Sequence, residues 1–167
     1  MSPSAALAVR IFRTPVGRMA VVATARGLAR VRLPAEVEKH GRAAMRPRAG
    51  DPQAAAVAAR AESEIRQYLA GRRRRFTVPL DLAGVPPFHR KAMDAARGIP
   101  YGRTVTYGDL ASRAGSPRAA RAAGQAMARN PLPLVVPCHR VVASGGGLGG
   151  FGGGLALKRR LLALERG

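Results

Sequence analysis

The feature that most constrains this chain is a proline-rich break, LAGVPPF at residues 82–88, which separates two stretches of different periodicity. Paired prolines remove two backbone donors and disfavour helix in the residue ahead of them, so no regular element runs through. A chain of 167 residues divided there fits two small domains, expected at residues 1–84 and 85–167. Aromatic residues make up only 4% and tryptophan is absent, so aliphatic side chains must fill both cores. A single cysteine excludes an internal disulfide framework and any multi-cysteine zinc site, and no metal is expected.

The first half reads as α/β. LAVRIF, RMAVVAT and LARVRL are rich in valine and other aliphatics, and the turns TPVG and ARG separate them, which predicts a small antiparallel sheet over residues 7–33. Residues 35–52 mix charges, glycines and prolines without periodicity and are expected to be irregular. From Pro52 to Leu69, apolar residues at Ala55, Ala58/Ala59, Ile65 and Leu69 predict an amphipathic helix that Gly71 stops. The Arg72–Arg75 run then forms an exposed turn, and FTVPLDL a short strand, with Pro79 favouring an edge.

The second half is mainly helical. PFHRKAMDAARGIP predicts a helix ending before Gly98. Thr106 to Asp109 resembles a capping box and opens a short helix through Ala114. Ser116 is a candidate N-cap, with Pro117 in the first helical position, for a helix running to about Arg129. Two short helices joined by a tight turn make a helix-turn-helix candidate. On the second, Arg118 and Arg129 would lie about 20° apart and Arg121 about 60° from Arg118. Ala119, Ala120, Ala122, Ala123 and Gly124 leave little bulk around that arginine stripe. Such a face suits close approach to a nucleic acid, with arginines on phosphates, and equally suits plain packing against a neighbouring element.

Charge alone does not decide between these. The net charge is +20, and 26 of the 29 basic residues are arginines. Each half carries half of the excess, so the total locates no binding face, and a solvated arginine surface stays open beside nucleic-acid binding. No apolar run reaches the length of a membrane span, and the N-terminal MSPSAALAVRIFRT is too short in apolar residues and too poor in leading basic charge for a signal peptide. A soluble, cytoplasmic protein without membrane association is expected.

The one cysteine, Cys138, sits in PLPLVVPCHRVV between apolar runs. An unpaired buried cysteine is usually an inert small hydrophobe. Against that, His139 follows directly, Pro137 fixes the local backbone, and a loop with eight glycines, SGGGLGGFGGG, comes after. That loop lacks the spacing of a dinucleotide or phosphate-binding fingerprint. The amphipathic C-terminal helix carries Glu165, so a thiol, an imidazole and a carboxylate are available as nucleophile, base and orienter.

Taken together, PCHRVV, IPYGRTVTYGDLA, SPRAARAAGQAMARNP, FGGGLALK and LLALE closely resemble the O6-alkylguanine-DNA alkyltransferases, the methylated-DNA–protein-cysteine methyltransferases, in order and spacing. TPVGRMAVVATARGL and AGRRRRFTVPLDL look like the same family, and residues around 35–52 match least. The resemblance implies a ribonuclease-H-like N-terminal α/β domain and a mainly helical, winged-helix-like C-terminal domain. It implies DNA repair by stoichiometric, irreversible alkyl transfer from O6 of guanine in duplex DNA, with O4 of thymine an open alternative, by a monomer without cofactor. It further implies minor-groove binding through Arg118, Ala119, Ala120, Ala122 and Gly124, with Arg121 filling the stack left by a flipped guanine and Tyr107 helping to rotate it. Cys138 would accept the alkyl group, His139 would take its proton through a water under orientation by Glu165, and Asn130 would support the turn. Val141, Phe151, Gly152 and Gly153 would line the base pocket.

The chemistry is coherent, since a methyl carbon needs a soft nucleophile and a thioether has no easy route back. Phe151 stands where many members have tyrosine, Gly152 replaces a small polar residue, and PFHRKAM lacks a frequent aromatic. The alternatives are a non-catalytic lesion sensor, which the presence of Cys138 opposes, a Cys-His-Glu thiol hydrolase, and an architectural DNA binder.

Overall fold

The computed structural model describes residues 6–167. The first five residues of the N-terminal segment, where no leader was expected, lie outside that range. Two compact units divide between Leu82 and Ala83.

In the first unit, three antiparallel strands, β1 (Ala8–Thr14), β2 (Gly17–Thr24) and β3 (Gly27–Arg32), pair in sequence order. Alternation sets the inner face, on which Met19, Val21, Ala23, Leu28 and Val31 are buried. Two helices accompany the sheet, α1 (Pro34–Ala44) and α2 (Pro52–Leu69). The sheet packs against α2, which starts where the Asp51 carboxylate accepts the amides of Gln53 and Ala54, each at 2.9 Å. At its other end Gly71 takes a positive φ of 74°, and Arg72 N–H donates back to the Gln67 carbonyl, a Schellman closure. Its buried face is Ala54, Val57, Ala58, Ala61, Ile65, Tyr68 and Leu69. The helix is therefore rotated slightly from the expected stripe, with Ala59 exposed.

Two expectations fail in this unit, both for tertiary reasons. Residues 35–52 are not wholly irregular, because α1 occupies Pro34–Ala44 with a kink at Gly41. Val37 and Met45 meet Ala20 in a small buried cluster, and Glu36 pairs with Arg30 and Arg32. So few apolar contacts leave no periodic trace in the sequence. FTVPLDL forms no strand beyond a single bridge between Leu28 and Leu80. The backbone amides of Thr77 and Val78 instead donate to the buried Glu64 carboxylate, at 2.9 and 3.2 Å. Pro79 has no amide to offer, so its carbonyl alone meets Leu28 N–H, at 2.7 Å. Gly27 permits that approach, since a Cβ there would stand 2.6 Å from the Leu80 backbone.

The second unit holds α3 (Pro87–Arg97), β4 (Val105–Thr106), α4 (Tyr107–Arg113), α5 (Ala120–Ala128), β5 (Val141–Val142) and α6 (Leu155–Arg166). The two short strands pair in parallel, Val105 with Val141 and Thr106 with Val142. The capping box is present: Asp109 N–H donates to Thr106 Oγ1 and Thr106 N–H to Asp109 Oδ2, both at 3.1 Å. The α4–α5 hairpin is also present, but α5 starts three residues later than Pro117. Ser116 does not cap it, because its N–H closes α4 by donating to Ala111 at 2.9 Å while Gly115 donates to Ser112. Residues 116–119 form a turn instead, with Ala119 N–H on the Ser116 carbonyl. Arg118 therefore lies off the helix and Arg129 follows its last turn, which leaves Arg121 as the one arginine in the body of α5. The expected three-arginine helix stripe does not form. Among the described residues no helix is long and apolar enough to cross a membrane.

Candidate active site

The cysteine is presented by a chain of tight turns. Asn130 ends α5 and uses both ends of its amide: Oδ1 accepts Leu132 N–H, and Nδ2 donates to the Val136 carbonyl, each at 2.9 Å. Pro137, at φ −79° and ψ 67°, makes an inverse γ-turn in which Cys138 N–H donates to the same Val136 carbonyl at 2.8 Å. Leu134, nearby, is the one non-glycine residue with positive φ among the described residues. A left-handed leucine costs energy and persists only where its surroundings over-determine it. Cys138 then opens a 3-10 turn, Cys138–Arg140, and is 8% exposed.

The two residues that follow the thiol belong to a buried polar cluster. His139 is 0% exposed, and its Nε2 stands 2.9 Å from Glu165 Oε1. With a carboxylate accepting from Nε2–H, the basic nitrogen of the neutral ring is Nδ1. Arg140 grips the same carboxylate, its Nε at 2.9 Å from Oε2 and a terminal nitrogen at 2.7 Å from Oε1. Its other terminal nitrogen donates to the Ile99 carbonyl, and its guanidinium lies over the Tyr101 ring. Gly102 N–H adds a further donor to Glu165. Burial pushes the His139 pKa down; Glu165 pulls it up, and the charges of Arg140 and Lys158 push it down again, so the imidazole rests neutral below its ordinary range. Burial pushes the Cys138 thiol up, against the Asn130 side chain, the Lys158 charge and the backbone amides of Cys138 and His139. At rest the site thus holds a thiol and a neutral imidazole.

Tyr107, at the start of α4, is half-buried close to the thiol. Burial raises its pKa, Gly150 N–H donates to its oxygen, and the proximity of Cys138 raises it further, so the hydroxyl keeps its proton at neutral pH. Gly124 of α5 faces the ring, where a Cβ would stand 3.7 Å from Cδ1. Cys138, His139, Glu165, Asn130 and Tyr107 are thus brought together, with Val141 buried directly after them. In the glycine-rich strap Phe151 and Gly153 are half-buried and Gly152 is exposed. On the hairpin Arg118 and Arg121 are exposed, and Ala119, Ala120 and Ala122 half-buried.

Two site residues escaped the sequence reading, Arg140 and Lys158, both buried cations. A signal existed for the second. Lys158, Leu161, Leu162 and Glu165 follow the i, i+3, i+4, i+7 spacing of one helix face, and all four are buried.

Known proteins match both units. Residues 87–167 fit the model described as the DNA-binding domain of 6-O-methylguanine DNA methyltransferase, and residues 7–82 the one for its ribonuclease-like domain. A methylated-DNA–protein-cysteine methyltransferase of Mycolicibacterium paratuberculosis is 48% identical over 106 residues, a match spanning 64% of each chain. The constitutive enzyme of that name from Bacillus subtilis is 44% identical over 109 residues, 65% of this chain and 66% of the relative. The crystal structure of the Mycobacterium tuberculosis O6-methylguanine methyltransferase superposes with a TM-score of 0.79 at 37% identity, covering 96% of this chain and 93% of that one. A structure of the M. tuberculosis protein in complex with DNA matches at the same TM-score and identity, over 95% and 92% of the two chains.

Proposed function

The chain belongs to the 6-O-methylguanine DNA methyltransferase family, and from that premise we propose that it repairs duplex DNA by moving a methyl group from O6 of guanine to Cys138, once per molecule. The observation that carries this reading is the nearly buried Cys138 held by Asn130 through Val136, backed by the His139–Glu165 pair. Burial and a neutral partner suit a nucleophile that stays protonated, and so unreactive, until a base lies against it.

In the reaction the thiol proton passes through a water to His139, whose charged form Glu165 stabilises. Sulfur attacks the methyl carbon as the carbon–O6 bond breaks, the electron pair left on the guanine takes the Tyr107 hydroxyl proton, and the proton held on His139 returns through water to the tyrosine oxygen. The products are an S-methylcysteine at position 138 and an unmodified guanine. No cofactor enters, because the damaged base brings the methyl group.

The target base must leave the helix to reach a cysteine this deep. The exposed Arg121 on α5, among small side chains, supports an approach of that helix along the minor groove with the guanidinium in the vacated stack. The M. tuberculosis relative's complex with DNA supports the partner. Val141, Phe151, Gly152 and Gly153 line the base pocket in this reading.

The test is to mix the protein with a duplex carrying one O6-methylguanine, record its intact mass and map the modified peptide. One methyl at Cys138, stopping at one equivalent, is the expected result. Unchanged mass with tight lesion binding would make the chain a sensor, and repeated turnover of an acyl ester would make it a hydrolase.

A further inference from the structure

Lys158, on the first turn of α6, is 0% exposed and takes no part in the scheme above. Its ammonium meets three backbone carbonyls: Val141 in β5 at 2.8 Å, Gly150 at 3.1 Å, and Leu148. An ammonium has three donors, a neutral amine two, so three carbonyls match the charged form. Among the described residues no carboxylate lies within ion-pair distance of it. Burial lowers the Lys158 pKa, and negative charge on Cys138, once the thiol loses its proton, pulls it back up.

The carbonyls it holds are placed to matter. Leu148 and Gly150 flank Gly149, whose φ is +71° and whose backbone comes so near Tyr107 that a Cβ would stand 2.6 Å from the hydroxyl oxygen. Gly150 also gives its N–H to that oxygen. The strap from 144 to 154 contains eight glycines and would be costly to order from its own chemistry, since glycine loses more backbone freedom than any other residue. Lys158 ties it at two points and ties β5, three residues from the nucleophile, at a third.

We propose that Lys158 is a positioning residue for both halves of the reaction: it clamps the glycine-rich strap onto Tyr107 and holds a positive charge beside Cys138. This rests on the alkyl-transfer reading and adds to it a physical link between the nucleophile and the proton donor. The ionisable and polar groups around the thiol are Lys158 from α6, Tyr107 from α4, Asn130 after α5, and His139 and Arg140 on its own turn, these two held by Glu165 from α6.

Lys158→Met tests it through three measurements: melting, methyl transfer from the O6-methylguanine duplex, and the pH midpoint for alkylation of Cys138 by iodoacetamide. The expected result is a folded protein with transfer slowed about 10- to 100-fold and the iodoacetamide midpoint raised by about one pH unit. Lys158→Arg keeps the charge but misplaces the donors, and should slow transfer with the midpoint unmoved. A folded methionine variant with wild-type transfer and midpoint overturns the proposal, and slow transfer with an unmoved midpoint overturns its electrostatic half. Gly149→Ala keeps the test alive where Lys158→Met does not fold. It drives a methyl into Tyr107, so transfer should fall without a change in midpoint, and wild-type transfer overturns the clamp. If the wild-type protein takes no methyl from the duplex, the functional reading fails, while the midpoint still judges Lys158.

Discussion

Each unit buries a glutamate on a helix, and the two are satisfied in opposite ways. Glu64 on α2 accepts from the amides of Thr77 and Val78 and the hydroxyl of Thr77, with Arg60 and Arg73 alongside. Burial alone would raise its pKa, but the Thr77 hydroxyl, the two amides and the Arg73 charge outweigh it and hold the carboxyl below its ordinary range. These partners are two amides and a hydroxyl held on one stretch of chain, with the guanidinium groups alongside, so the group pins a loop. Glu165 on α6 faces an imidazole, a guanidinium and one amide. One of those partners, the imidazole, can take up a proton, with its pKa held below the ordinary range by burial, and the carboxylate's effect depends on whether that ring carries the proton. A buried charge surrounded by fixed donors builds structure; one set against a titratable ring can serve chemistry.

The sharpest break between the units is Cys138→Ala, which should abolish methyl transfer completely while leaving duplex affinity intact, read by intact mass and by gel shift. Glu165→Gln comes next. It should slow transfer about 10²- to 10³-fold by withdrawing support from the charged imidazole, read by single-turnover kinetics on protein shown to be folded. Glu64→Ala should reverse that pattern. It leaves the Thr77 and Val78 amides without an acceptor, costing about 1–3 kcal/mol of stability, with transfer by the folded fraction unchanged. Denaturant melts with activity measured below the transition would distinguish the two glutamates, and equal effects on transfer would erase the contrast.

Arg121→Ala should slow transfer from duplex DNA about tenfold more than transfer from free O6-methylguanine base; equal losses on both substrates would remove its role in the stack. The smallest effect is on acid stability. A depressed pKa gives stability that is present above the unfolded value and lost as pH falls. His139 is depressed from an ordinary value near 6.5, so α6 should begin to lose protection below about pH 6.5. Glu64 is depressed from about 4.3, so α2 should hold until below about pH 4.3. Amide hydrogen exchange followed helix by helix would show the two onsets, and a shared onset would mean that the units unfold as one.

Much of this arrangement was legible in the chain because its signals act over a few residues. Three valine-rich runs, Asp51 and Gly71 around α2, and the Thr106–Asp109 box each carry their own hydrogen-bond partners, so the strands, α2 and α4 form where their patterns say. PCHRVV and the motifs around it placed Cys138, His139 and Glu165 in one family. The start of α5 was not legible, because Ser116 can cap α5 or close α4 and the sequence does not say which. Nor was the fate of FTVPLDL, whose amides are taken by a carboxylate 13 and 14 residues earlier.

What the sequence by itself determined, then, is the set of elements and the identity of the reacting groups, since propensity, capping and turn chemistry are local. Only the tertiary structure decided where the buried charges go. Arg140 looks like one more surface cation in a chain with 29 basic residues, and Lys158 is marked only by its place on the buried face of α6. Their burial follows from carbonyls and a carboxylate that distant segments bring to them, and a charge is tolerated inside a protein only where such partners converge.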